Sequence, residues 1–351
     1  LQRINDLLIG LLRCYKKFTL ASVQMLWSAI VNAVLVSVLT FYLRIYGFIL
    51  AIGLSFLFNI VYVGLHYKFN FRLQFNPQRF RALVAFGFPL MVIGIMTTIF
   101  RSIDKIMIVK FAGFEALGFY SIALMVCNYI QSFTNPISIV MIPHIQEKFG
   151  ASDNPKELKG FLDKASDASV LMTTAIVGFA WVFVPYFVHL FLPKFIPGIQ
   201  AMKVLSLSIL FFALASPYGD FLIAIKKHFL LFPLLGLSAL IALALDYLAI
   251  QHGYGITGVA SATCFTALFN FSITYFYSAR YLFDRMGALK RYLMLLGYCF
   301  YLLLILFLIN FWITEGTYSI VGTMKQALLF TVFYLPLFVF LNRTIKLTSF
   351  L

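Results

Sequence analysis

Ten apolar stretches, each long enough to cross the hydrocarbon core of a bilayer, constrain this chain more than any other feature. A helix needs about 20 residues to span roughly 30 Å of hydrocarbon. Stretches of that length lie at 20–41, 46–66, 83–101, 116–142, 168–192, 199–219, 229–250, 255–278, 289–311 and 318–341, separated by turn-like or charged breaks such as Leu192-Pro193-Lys194 and Gly253-Tyr254-Gly255. Lipid offers the backbone no hydrogen-bond partners, so spans of this kind must be helices that satisfy their own amides. The expectation is therefore an all-α, polytopic membrane helix bundle of about ten transmembrane helices. With 62% hydrophobic and 11% charged residues, the composition excludes a soluble fold.

The cations divide by side. Counted against an alternation of the ten spans, twenty of the 27 Lys and Arg fall on one face of the membrane: Arg3, Arg13, Lys16, Lys17, Lys68, Arg72, Arg79, Arg81, Lys148, Lys156, Lys159, Lys164, Lys226, Lys227, Arg280, Arg285, Lys290, Arg291, Arg343 and Lys346. Cytoplasmic loops retain such residues, which predicts both termini in the cytoplasm. The net charge of +15 then reads as topology signal facing anionic headgroups. A nucleic-acid binder would gather its basic residues on one solvated face, so nucleic acid is not an expected partner. Arg44, Arg101, Lys105, Lys110, Lys194, Lys203 and Lys325 fall on the other side or inside spans.

The loops are short. The longest outward one is expected at Arg101–Glu115 and the longest inward one at His144–Asp167, too little chain for the folded loop on which membrane glycan transferases carry their acids. The chain is thus not expected to be an enzyme. Cys14, Cys127, Cys264 and Cys299 lack metal-ligand spacing and are read as small apolar packing residues. His144, His189 and His228 fall near span ends, where hydration accounts for them. No metal set or cofactor is expected.

Two pairs of spans share their punctuation. Lys16-Lys17 precedes the first span and Lys226-Lys227 the seventh; Tyr46-Gly47 opens the second and Tyr254-Gly255 the eighth; Phe58-Asn59 recurs as Phe269-Asn270. If the first two spans match the seventh and eighth, four counterparts of spans three to six should precede the first. The expectation is an N-terminally truncated form of a two-lobed, fourteen-helix protein. Residues 1–78 would be the remnant of the first lobe, 79–280 the second lobe, and 281–351 two additional helices.

Several segments resemble the lipid-linked oligosaccharide flippases, of O-antigen and capsule type, within the multidrug/oligosaccharidyl-lipid/polysaccharide exporter superfamily. They are Phe86-Gly87-Phe88-Pro89-Leu90, Arg101-Ser102-Ile103-Asp104-Lys105, Gly113, Leu117-Gly118-Phe119-Tyr120-Ser121, Ile142-Pro143-His144, Pro193-Lys194-Phe195-Ile196-Pro197 and Tyr254-Gly255-Ile256-Thr257-Gly258-Val259-Ala260. The resemblance implies transport of an undecaprenyl-pyrophosphate glycan from the cytoplasmic to the periplasmic leaflet of the bacterial inner membrane, by alternating access between lobes. It implies as partners the polyprenyl-pyrophosphate-linked glycan, membrane lipids, a polysaccharide polymerase and a chain-length regulator.

A flippase makes no covalent bond; it lowers the cost of carrying a charged headgroup through hydrocarbon. Pyrophosphate is met by Arg as a planar fork or by Lys as a point charge, and ionisable residues inside the membrane are functional candidates by default. Arg101, Lys105 and Lys203 are the candidate headgroup contacts, with interface snorkelling as the alternative reading. Asp104 and Asp246 are candidate ion-coupling residues, against an ion-pair role for Asp104 and simple solvation for Asp246. Pro89 and Pro136 remove backbone hydrogen bonds inside long spans and are candidate hinges or static bends. A cation-coupled drug exporter of the same superfamily, which would want acids in its cavity, is the nearest alternative.

Overall fold

The computed structural model describes residues 2–15, 17–67, 76–152, 154–312 and 319–345. Lys16, Lys68, Arg72 and Lys346 lie outside the described residues, as do the side chains of Arg3, Arg13, Cys14, Pro143 and Arg343. The described chain is helical: α1 (Gln2–Cys14), α2 (Phe18–His66), α3 (Pro77–Phe100), α4 (Ile103–Ser152), α5 (Lys159–Phe191), α6 (Ile199–Ala224), α7 (Leu231–Gln251), α8 (Gly255–Leu282), α9 (Arg285–Trp312) and α10 (Ile320–Ile345). Eight helical runs are apolar and long enough to cross a membrane, but two of them, Thr19–His66 and Pro77–Pro136, are 48 and 60 residues long. At 1.5 Å per residue each would measure more than about 70 Å if straight, twice what a bilayer needs. Both are folded back on themselves, so the eight runs make ten crossings of a multi-pass membrane protein.

The reversals occur at single non-helical residues. In α2 the break is Arg44 (φ 52°, ψ −128°). The cross-arm bonds Asn59 Nδ2 to Ser28 Oγ, 2.8 Å, and Ser55 Oγ to Asn32 Oδ1, 3.3 Å, both centre on residues 43–44. In α4 the break is Gly113 (φ 85°, ψ 175°), a region of backbone space open essentially to glycine alone.

Residue contacts divide the chain into two units, Leu1–Phe80 and Arg81–Leu351. In the first, α1 lays Leu8 and Leu12 against Ala21 and Val63 of α2. The second is built around α6, whose buried side chains include Leu205, Ile209, Leu214, Tyr218, Phe221 and Leu222. Helices that are apolar all round belong in a bundle's centre. Small buried residues, Ser206 and Ser208 on α6 and Ala260, Ala267 and Ser278 on α8, let backbones approach closely, as membrane helix packing requires. α7 and α8 form a hairpin closed by Asn270 Nδ2 donating to Ser238 Oγ at 3.1 Å. This is the same Asn-to-Ser bond that closes α2, at the positions the Phe-Asn repeat marks. The two Phe-Asn pairs thus supply the same kind of bond in their two hairpins.

α9 and α10 are tied to this unit by polar contacts. Tyr334 Oη donates to Leu171 O at 2.6 Å and meets Thr174 Oγ1 at 2.9 Å. Arg291 bridges Asp163 at 3.2 Å and Asp167 at 2.7 Å on α5. Among the described residues, two of the expected loops are largely helical. Residues between Arg101 and Gly113 are helical save for a two-residue turn at Arg101–Ser102, and α4 and α5 extend through most of the charged stretch after His144. Hydropathy marks only the apolar middle of each helix, whereas these helices carry their charged ends out as continued helix. His228 also departs from expectation: it is buried against Phe86, ring centroids 5.4 Å apart, rather than hydrated.

Arg291→Met leaves the two α5 carboxylates unpaired. Loss of one partner from a buried ion pair costs about 3–5 kcal/mol, so the variant should unfold at clearly lower temperature or denaturant in detergent, measured by intrinsic fluorescence.

Candidate functional site

Between α3 and α4 the third crossing is interrupted, not ended. Arg101 N–H still donates to Thr97 O at 3.0 Å, Ser102 N–H to Ile99 O at 2.9 Å, and Ile106 N–H to Ser102 O at 3.1 Å. The ladder tightens to a three-residue step at Arg101–Ser102 and resumes. The crossing then runs on to the reversal at Gly113, which places Arg101 roughly 18 Å along the helix from its turn. The second arm of α4 returns alongside: Tyr120 Oη donates to Asp104 Oδ2 at 3.0 Å, and Arg101 Nη1 to Gln131 Oε1 at 2.7 Å.

These residues open onto a cavity of about 310 Å³ inside the second unit. Arg101, Asp104 and Lys105 come from the interrupted crossing, Asn128 and Gln131 from the returning arm, Asp246 from α7, and Thr263 and Thr266 from α8. Phe100, Leu205, Ile209, Phe212 and Ala242 supply the apolar walls. Arg101 carries its guanidinium 5.1 Å from the centre of the Phe212 ring, a cation–π arrangement that suits a partly desolvated guanidinium. Asp104 is 7% exposed, with Oδ1 accepting from Lys105 N–H at 2.8 Å. Asp246 is 1% exposed and its Oδ1 has no hydrogen-bond partner. Formally the lining balances two cations against two carboxylates, in a space whose remaining donors and acceptors are amides and hydroxyls.

Four of the residues singled out from sequence, Arg101, Lys105, Asp104 and Asp246, thus share one cavity. Asp246 is not solvated at the interface but buried in that wall. Lys203 is elsewhere: its Nζ lies 5.5 Å from the Trp181 ring centre, in a water-sized space of about 20 Å³ with Asn310 and Gln326. Pro89 and Pro136 both sit within continuous helix, Pro89 buried and Pro136 exposed. Among the described residues no group of three or more His, Cys, Asp or Glu could hold a metal ion. Sequence reading missed Asn128, Gln131, Thr263 and Thr266, because uncharged polar residues in apolar spans are commonly bonded within their own helix; the only available signal was two amides one turn apart in the fourth span.

Residues 9–195, just over half of the chain, match the model of a family described as polysaccharide biosynthesis protein. The chain belongs to that family. An uncharacterised membrane protein of Methanocaldococcus jannaschii is 21% identical over 282 residues, 76% of this chain and 66% of the relative. Among solved structures, the lipid II flippase MurJ in its inward closed conformation aligns over 91% of this chain with a TM-score of 0.61 and 17% identity. A MATE protein variant aligns over 82% with a TM-score of 0.67 and 15% identity. A MOP superfamily transporter from Pyrococcus furiosus, described as having a binding pocket of reverse polarity, aligns over 82% with a TM-score of 0.63 and 15% identity. The fold is that of these transporters, and the chain spans 66% of the length of each.

In a cysteine-free background, Asn128→Cys and Gln131→Cys should react with a hydrophilic thiol reagent at least about tenfold faster than Leu240→Cys on the exposed face of α7, because only hydrated thiols ionise readily. Mass spectrometry of the labelled full chain reads the rates.

Proposed function

We propose that this protein is part of a flippase that moves a polyprenyl-pyrophosphate-linked oligosaccharide, undecaprenyl in a bacterium, from the cytoplasmic to the outer leaflet for O-antigen, capsule or exopolysaccharide synthesis. The observation that carries this reading is the pair Arg101 and Lys105 lining a polar cavity at a discontinuity in the third crossing. Interrupted helices mark the binding regions of many transporters, because their freed backbone groups can face a ligand. The guanidinium offers a fork matched to two phosphate oxygens and the ammonium a point charge beside it. Neither role requires a covalent bond to be made or broken, which fits translocation.

In this reading the basic faces of the bundle are cytoplasmic, as are both termini, and the reversals at Arg44 and Gly113 face outward. Residues 1–78 serve as part of a first lobe, 79–280 as a second, and the last two helices as an addition. Pro89 and Pro136 are the proposed flexing points of the third and fourth crossings, and Lys203 serves as an auxiliary contact on the outer side. A polysaccharide polymerase and a chain-length regulator would receive the product.

The two carboxylates supply the driving ion. Asp246, with a buried and unpartnered oxygen, and Asp104 across the same cavity are placed to hold a proton or a sodium ion between α4 and α7. The same pair supports the second reading, a cation-coupled exporter of organic cations. Charge sign alone does not separate the two readings here, since the lining is balanced; membership in a polysaccharide biosynthesis family weighs for the glycan.

Each charge-assisted hydrogen bond contributes about 1.5–3 kcal/mol, so replacing Arg101 and Lys105 together by Ala should lower translocation of the lipid-linked glycan by tenfold or more. Outer-leaflet exposure of labelled glycan in proteoliposomes containing the complete protein is the measurement. Unchanged exposure at equal protein density removes the two cations as headgroup contacts, and transport of an organic cation instead favours the exporter.

A further inference from the structure

The returning arm of α4 carries two exposed stripes of opposite character. Met125, Tyr129 and Phe133, each four residues from the next, are exposed and make an apolar stripe. Asn128, Gln131 and Asn135, three and four residues apart, make a second stripe, with Asn128 and Asn135 exposed and Gln131 half-buried. Residues at those spacings share a helix face. Lipid accepts the first stripe, whereas amide side chains turned to hydrocarbon are costly. The amide stripe therefore belongs to a hydrated face of the second unit, the one onto which the Arg101 cavity opens.

That face is graded in its chemistry. The cavity of about 310 Å³ holds the four charged side chains described above. A space of about 50 Å³ continues from it, sharing Arg101, Gln131 and Phe212, and is completed by Thr134 and Asn135 of α4, Ser169 of α5 and Ser216 of α6. Asn135 and Ser216 are exposed, so the two spaces are parts of one open trough. Beyond Arg101 the lining of that trough is uncharged: its polar groups are one amide and three hydroxyls. An amide presents donor and acceptor side by side, and a hydroxyl is both, which is the complement that neighbouring hydroxyls of a sugar ring require. An organic cation would find no counter-charge at this end.

We propose that Asn135 and Ser216 form a subsite for a neutral hexose, the sugar joined directly to the pyrophosphate, on the uncharged side of Arg101. Asn135 lies one turn of α4, roughly 6 Å, beyond the Gln131 that Arg101 holds, a step of about one sugar ring. The subsite rests on the reading of Arg101 and Lys105 as pyrophosphate contacts, and it fixes how the ligand lies: phosphates at the charged end of the trough, first sugar at the neutral end. Selection there comes from hydrogen bonds alone. A carrier without the sugar forfeits those bonds and keeps its phosphate contacts, so the two ends of the trough can be tested separately.

The test is equilibrium binding to the complete protein in detergent, with radiolabelled short-chain prenyl pyrophosphates that are either methyl-capped or linked to one glucose, galactose or N-acetylglucosamine. The methyl cap keeps the charge equal across the four ligands. The unaltered protein should bind at least one sugar-bearing ligand about tenfold more tightly than the methyl-capped one. Replacing Asn135 and Ser216 together by Ala should remove that advantage, since each lost hydrogen bond is worth roughly threefold to tenfold, and should leave binding of the methyl-capped ligand as it was. Phe133→Ala, on the apolar stripe, should alter neither. Monodisperse elution and an unchanged melting curve certify folding for each variant. Equal affinity of the unaltered protein for all four ligands, or a sugar preference that survives the double variant, overturns the subsite and leaves the headgroup reading standing. Failure of the unaltered protein to bind any of the four, the methyl-capped ligand included, defeats the headgroup reading and the subsite with it.

Discussion

Holding ionisable side chains within an apolar helix bundle is the constraint on which the rest of this structure depends. A charge there is tolerated only where it faces water, a partner or a ligand. The chain meets that condition by interrupting one helix at Arg101–Ser102 and reversing it at Gly113, so that a second arm brings Gln131 and Tyr120 back to the charges. α7 and α8 close the other side with Asp246, Thr263 and Thr266. The polar interior exists because several helices contribute to it at one depth. Removal of any one would expose the others to lipid.

The apolar bundle that surrounds this interior was legible in the sequence, since length and hydropathy alone mark the apolar stretches that its helices carry. The paired Phe-Asn signals also had structural content, as Asn59 and Asn270 make the same bond to a serine across their hairpins. What hydropathy could not reveal was that helix continues past Arg101 as far as Gly113. Lys105, Lys110 and Glu115 follow it closely, which gives the stretch the look of a loop, while Gly113 alone marks the turn. The reversal rests on that residue, and one glycine among several carries little weight in a composition window.

Partnerships across helices were equally hidden. Lys203 and Arg101 are both cations near the outer ends of apolar runs, yet one lies over Trp181 among α5, α6, α9 and α10 and the other in the cavity. Asp163, Asp167 and Arg291 read individually as loop charges, but are brought together by the inward extension of α5 and α9 as helix. Such groupings depend on which faces of distant helices meet, and periodicity within one helix does not encode that.

The balance of charge in the cavity gives the flippase reading its physical shape. Two cations and two carboxylates line the same cavity, so contacts for an anionic headgroup and contacts for a small cation lie side by side. The most direct measurement is equilibrium binding of a short-chain polyprenyl pyrophosphate to the purified protein in detergent. The account expects saturable binding that weakens by about tenfold or more when Arg101 and Lys105 are both replaced by Ala, at 1.4 kcal/mol per tenfold, and that is kept when an exposed cation such as Lys156 is replaced. Equal binding by the native protein and the double variant would contradict it.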